Sequence, residues 1–137
     1  MQVNSVNNQQ QSFGMAFTTM NDAAKKALKK RIKGKDFAKL QDLINSQENN
    51  KNVDIYLYTT GPDSTRLGAN IYPTSVSSSS NICMQSPREG FINSLRSPLH
   101  FIESICNKAN KMSAKVEENL KMDKLFNSLP YSVVHHK

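Results

Sequence analysis

The sequence predicts an α+β fold: a small, mainly antiparallel sheet in β-α-α-β-β-α order, helices packed on one face, and a long C-terminal helix. Three observations carry this prediction. Val53, Ile55 and Leu57 alternate with Asp54, Tyr56 and Tyr58, the period of a strand with one buried face. Leu67, Ala69 and Ile71 repeat the alternation beyond the turn Gly61-Pro62-Asp63-Ser64, which makes a β-hairpin. After Ser97-Pro98, the residues Leu99, Ile102, Cys106, Ala109, Ser113, Val116 and Leu120 recur at helical spacing.

The remaining elements follow in chain order. Residues 1–11 are rich in Asn and Gln with little to bury and are expected to be a disordered leader. In Ser12 to Thr18, Phe13, Met15 and Phe17 alternate with small residues, which predicts a first strand. Asn21 or Asp22 is placed to cap a helix running to about Lys33, with Met20, Ala24, Ala27, Leu28 and Ile32 as its apolar stripe and Arg31 beside them. Gly34 is expected to end it in the left-handed conformation. A second helix is expected from Asp36 to about Gln47, with Phe37, Leu40, Leu43 and Ile44 inward and the polar run Ser46 to Asn52 closing it. Thr74 to Asn81 reads as a loop, and Ile82-Cys83-Met84 is placed to add a short strand.

The last helix is wide-faced, since Phe101, Ile105 and Met112 broaden its stripe. Run straight to Asn127, it would be ~45 Å long, longer than the ~35–40 Å diameter of a compact domain of this size. A break or bend near Asn119 to Met122 is therefore expected, with Leu125, Phe126 and Leu129 packing back. The alternative is a protruding end that forms a homodimer contact. The organisation read from these elements is one domain over 12–129, followed by a frayed tail at 130–137.

Composition narrows the function. The 137 residues carry 18 Lys and Arg against 11 Asp and Glu, a net charge of +7. Residues 21–40 alone hold Lys25, Lys26, Lys29, Lys30, Arg31, Lys33, Lys35 and Lys39 against Asp22 and Asp36, six of that surplus of seven. A segment so polarised draws in phosphate, anionic lipid or an acidic protein face. Lys outnumbers Arg by fourteen to four, which argues against base-specific reading, where the planar guanidinium excels. No apolar run approaches the ~20 residues of a membrane span. Met1 to Ser12 lacks the pattern of a secretory signal, so a cytoplasmic location is expected.

Candidate chemistry is sparse. Cys83 and Cys106 lie far apart, and His100, His135 and His136 supply no close ligand pairs, so no metal site is expected. Cys106 falls on the apolar stripe of the last helix. A Cys83–His100 nucleophile has no spacing to support it. Glu117 and Glu118 point to different helix faces. Gly61 and Gly68 lack the Lys and Ser/Thr of a phosphate loop, and Ser77 to Ser80 lack the glycine frame of a hydrolase elbow. No catalytic residue and no cofactor are predicted, and the chain is read as a non-enzyme.

Two motifs come near. The helix pair around Gly34 looks like a helix-turn-helix, but Lys30, Lys33 and Lys35 occupy positions that motif buries. The order of elements from Asp36 to Lys121 is similar to that of the double-stranded-RNA-binding domain. That family opens its last helix with a lysine cluster, where this chain has Ser97-Pro98-Leu99-His100-Phe101. No family follows from either.

The resulting expectation is a small interaction protein whose basic helix, residues 22–39, docks on an acidic partner through Lys25, Lys26, Lys29, Lys30, Arg31, Lys33 and Lys35. The alternative is sequence-nonspecific nucleic-acid binding by the same lysines through counterion release. In that case Tyr56 and Tyr58, joined by Tyr72, would be stacking platforms on the outer sheet face. Insertion into a membrane surface is disfavoured by the thin stripe Ala24–Leu28–Ile32.

Overall fold

The computed structural model of the chain describes residues 16–61, 64–74 and 81–130. The leader 1–11, Phe13 and Met15, Pro62 and Asp63, the serine run and the tail beyond Pro130 lie outside the described residues, and with them the expectations placed there.

Six elements follow the predicted order, with an added 3₁₀ turn before the last: β1 (Phe17–Met20), α1 (Asp22–Arg31), α2 (Asp36–Asn45), β2 (Val53–Thr59), β3 (Leu67–Pro73), the 3₁₀ turn (Asn93–Leu95) and α3 (Leu99–Asn127). The sheet order is β1-β2-β3. β2 and β3 pair antiparallel in unbroken register from Val53 opposite Pro73 to Thr59 opposite Leu67, the predicted hairpin. β1 pairs with β2 in parallel, because two helices between them carry the chain back before it re-enters the sheet. Within the described residues the strand runs on to Met20, which the sequence pattern had put on the helix stripe.

Outside the named strands, the segment from Gln85 to Glu89 lines the free edge of β3. Gln85 and Ile71 exchange backbone bonds of 2.8 and 2.9 Å, and Glu89 N–H reaches the Leu67 carbonyl at 2.9 Å. This edge begins directly after the predicted strand at Ile82-Cys83-Met84, where Cys83 and Met84 are exposed instead.

One face of the sheet carries the core. Phe17, Val53, Ile55, Leu57, Leu67, Ala69 and Ile71 are all inaccessible to water and pack with Ala24, Ala27, Leu28 and Leu40 of the first two helices. Phe101, Ile102, Ile105, Ala109 and Met112 of α3 complete the cluster. At roughly 1.5–3 kcal/mol for each large apolar side chain buried, this cluster is the main driving force.

Local signals explain the helix ends. The Asn21 side-chain oxygen accepts the Ala24 N–H at 2.8 Å, the predicted cap. α1 stops at Arg31, two residues early, because Ile32 turns extended and packs half-buried against the core. Gly34 is therefore not a left-handed terminator; it sits in a turn in which Asp36 N–H bonds the Lys33 carbonyl at 2.8 Å. In α2, Leu40, Leu43 and Ile44 face inward as expected, but Phe37 is 55% exposed. It lies in the first turn, at the margin of the stripe. The polar run after α2 is also more than a closing loop. Gln47 is fully buried and bonds Asn110 at 3.0 Å, while Asn52 bonds Ser113 at 3.1 Å and Glu117 at 2.8 Å. Ser113, a poor apolar knob, is thus a polar anchor on α3.

α3 does not bend. Its 29 residues run unbroken, roughly 44 Å at 1.5 Å per residue. Sharp kinks need Pro, Gly or an inserted group, and residues 99–127 contain no Pro or Gly. Buried positions end at Val116, and Leu125, Phe126 and Leu129 are 57, 61 and 49% exposed rather than folded back. The last turns project from the body.

One ion pair, the only one among the described residues, ties the helices to the sheet edge. Arg31 donates from both terminal nitrogens to Glu89, at 2.5 and 2.9 Å, with side chains 8 and 1% accessible. The same guanidinium bonds the carbonyls of Thr65 at 3.0 Å and Arg96 at 2.8 Å, and Glu89 Oε1 accepts the Leu67 N–H at 2.8 Å. Stranding one buried charge should be costly. Arg31→Ala or Glu89→Ala is expected to lower the unfolding free energy by about 3–5 kcal/mol, measured as a fall in urea midpoint at unchanged slope. Replacing both at once, Arg31→Met with Glu89→Leu, should recover most of that loss.

Candidate docking surface

The basic helix is a charged face laid over an apolar one. Ala24, Ala27 and Leu28 are buried, and the spacing of three and four that unites them places Lys25, Lys26, Lys29 and Lys30 on the opposite side, all exposed. None of these lysines lies within salt-bridge distance of a carboxylate among the described residues. Lys33 and Lys35, in the connection to α2, and Lys39 are exposed as well.

Arg31 departs from the predicted set. It lies three and four residues beyond Leu28 and Ala27, on the buried stripe, and its guanidinium is consumed by Glu89 and backbone carbonyls. The helical spacing carried that signal, since a cation in line with an apolar stripe points inward to a partner. Nothing in the local sequence pointed to Glu89 as that partner, because the two meet 58 residues apart.

Beside the end of α1, Lys30 and Lys33 form one wall of a cleft of about 390 Å³, with Arg96, Ser97 and the largely exposed Leu95 on the other. A second cleft of about 290 Å³ lies on the far side of Arg96, lined by Arg88, His100, Phe101 and Lys108. The side chains of Arg88 and Arg96 make no hydrogen bond or ion pair among the described residues. These arginines belong to a loop and an edge segment whose spatial relation to α1 exists only in the fold.

The tyrosines lie elsewhere. Tyr56 and Tyr58 stack on each other with ring centroids 5.9 Å apart, half-buried, on the sheet face opposite the helices. Tyr58 lies across Gly68 of the neighbouring strand; a Cβ on Gly68 would meet the ring at 2.6 Å and the hydroxyl at 2.8 Å. On the same face Asp54 pairs in register with Tyr72, and burial pushes its carboxyl pKa above the usual value. The sheet therefore separates the tyrosines from the lysines of α1.

Nucleophile and metal chemistry find little here. Cys106 is buried, donates to the Leu43 carbonyl at 3.5 Å, and has its thiol pKa pushed up to about 11, chiefly by burial, so it holds no thiolate near neutral pH. Cys83 is exposed and forms no hydrogen bond with His100. Among the described residues no three His, Cys, Asp or Glu side chains gather as metal ligands, and no helix is long and apolar enough to cross a membrane. No family model, curated protein or solved structure matches the chain.

The crossing of Tyr58 over Gly68 is open to a direct test. Gly68→Ala should displace the ring, weaken the tyrosine near-ultraviolet circular dichroism and cost roughly 1 kcal/mol, the scale of a cross-strand pair. In a Tyr58→Ala background the same change should cost nothing, a non-additivity that a double-mutant cycle measures.

Proposed function

We propose that this protein is a non-enzymatic docking module that engages an acidic protein surface through its basic helix and the lysines that follow it. The carrying observation is the exposed face of Lys25, Lys26, Lys29 and Lys30, with no carboxylate paired to it among the described residues. Lys33, Lys35 and Lys39 extend the same charge towards α2. At physiological salt the screening length is ~8 Å, so neighbouring ammonium groups on one helix face act together on a partner.

A nucleic-acid reading uses the same lysines, but its aromatic platform would be Tyr56 and Tyr58, and these sit across the sheet beside Asp54. That placement favours the protein partner. A cytoplasmic setting belongs to the same reading, because reducing conditions keep Cys83 and Cys106 as thiols.

The test compares a fluorescein-labelled deca-glutamate peptide with a single-stranded oligonucleotide of equal charge. The peptide should bind with an affinity that falls with salt. Reversing Lys25, Lys26, Lys29 and Lys30 to Glu should weaken it on the order of 100-fold. Tighter binding of the oligonucleotide would transfer the helix to the nucleic-acid reading.

A second reading, self-association, is favoured by the projecting end of α3. Met122, Leu125 and Phe126 follow the i, i+3, i+4 spacing of one helix stripe, Leu129 lies two residues past the helix end, and all four are 47–61% exposed. They present roughly 400 Å² of apolar surface, within the range of the largest patches on monomers. Lys121, Asp123 and Lys124 around the stripe are of mixed sign, which suits a second copy better than a strongly charged partner. Two such stripes bury only about 800 Å², below the ~1,200 Å² of standard interfaces, so a weak dimer is expected. Sedimentation velocity should show concentration-dependent mass in the micromolar range, abolished by Leu125→Glu with Phe126→Glu.

A further inference from the structure

The chain has only four arginines among its 18 basic residues, and the fold draws them to one end of the molecule. Arg31 forms the floor beneath the first cleft, Arg96 stands between the two clefts, Arg88 lines the second, and Arg66 lies over the Phe91 ring at 6.0 Å. Lysines, by contrast, are spread along the helices. A guanidinium is the side chain suited to holding a carboxylate by two parallel hydrogen bonds, and Arg31 already does so with Glu89. Arg88 and Arg96 offer the same fork with no partner of their own among the described residues.

We infer that the clefts on either side of Arg96 are a carboxylate-binding site, taking acidic side chains of the protein segment that the basic helix attracts. The inference rests on the docking role proposed above and names what that surface grips. Charge complementarity carries it: Lys30, Lys33, Arg88, Arg96 and Lys108 line the clefts, and the carboxylates there are Glu89, committed to Arg31, and Asp36. Clefts of about 390 and 290 Å³ each have room for a side chain and its hydration. Apolar neighbours select the class of ligand. Leu95, in the lining of the first cleft with Arg96, is 72% exposed, and an aliphatic group matches the alternating apolar and acidic side chains of a peptide, not a phosphate backbone. Phe91, the nearby aromatic ring, already carries Arg66 within cation–π range.

Position is supplied by the buried pair. Arg31 holds the Asn93 and Arg96 carbonyls at 3.3 and 2.8 Å, so the backbone that carries Arg96 is tied to α1. The fork of Arg96 is thereby presented next to Lys30 and Lys33 from a braced loop.

The experiment uses the full chain and two labelled probes, a decapeptide of alternating Glu and Leu and an oligonucleotide of equal charge, with inorganic phosphate as competitor. Arg96→Ala and Arg88→Ala, both at exposed side chains, should each weaken the Glu-Leu peptide at least tenfold while far-ultraviolet circular dichroism stays unchanged. Arg96→Lys, which keeps the charge and loses the fork, should recover only part of that loss. If reversing the α1 lysines abolishes peptide binding while both arginine variants bind like the unaltered chain, the cleft site is wrong and the helix surface stands. If the unaltered chain binds no peptide, the site and the docking role both fall. Equal losses for the oligonucleotide, or displacement of the peptide by millimolar phosphate, would make the clefts a general anion site and overturn the carboxylate assignment.

Discussion

Taking a guanidinium and a carboxylate out of water costs several kcal/mol for each ion, and the pair of Arg31 with Glu89 is almost wholly out of water. That cost is offset only where the remaining donors and acceptors are satisfied, and here they are. Arg31 also meets the carbonyls of Thr65, Asn93 and Arg96, and Glu89 takes a backbone N–H from Leu67. A single arrangement of four segments meets those demands: the end of α1, the start of β3, the edge segment, and the loop that leads into α3. Apolar burial supplies most of the free energy. The pair specifies which surfaces end up side by side, because a misplaced segment would leave a charge stranded in the interior.

The sheet then acts as a partition. Its inner face is given over to apolar side chains and the helices, so the lysines of α1 are presented on the helical side. Its other face has a stacked pair of tyrosines, a glycine over which one of them lies, and an aspartate. Two surfaces of different chemistry result, and a ligand of ordinary size cannot address both at once. For the same reason the arginine clefts and the lysine face form one surface: Lys30 belongs to both. The projecting end of α3 is a third surface, detached from the body because its last buried residue is Val116.

Much of the fold was legible along the chain because its determinants are local. Alternation in Val53 to Tyr58 needs only neighbouring residues, as do the Asn21 cap and the helical stripe from Leu99 to Val116. The errors arose where local pattern and distant contact compete. Met20 matched the apolar stripe of the first helix, yet it ends β1 and pairs with Leu57. Gly34 looked like a helix terminator, but packing of Ile32 ended the helix first. A break or bend in α3, with its end packed back, was expected from the size of a compact body, although residues 99–127 hold no Pro or Gly to interrupt the helix.

By itself the sequence determined the class of fold, the two strands of the hairpin, the basic stretch and its amphipathic split, since each depends on spacing within one element. Only tertiary structure decided which cations are available. Arg31 and Lys30 are adjacent in the chain and alike in charge, but one is spent on a glutamate 58 residues away and the other faces a cleft. Arg88 and Arg96 became part of the same surface through that same long-range contact. Electrostatic attraction acts through space, so which charges cancel and which remain is settled by distances that chain order does not contain.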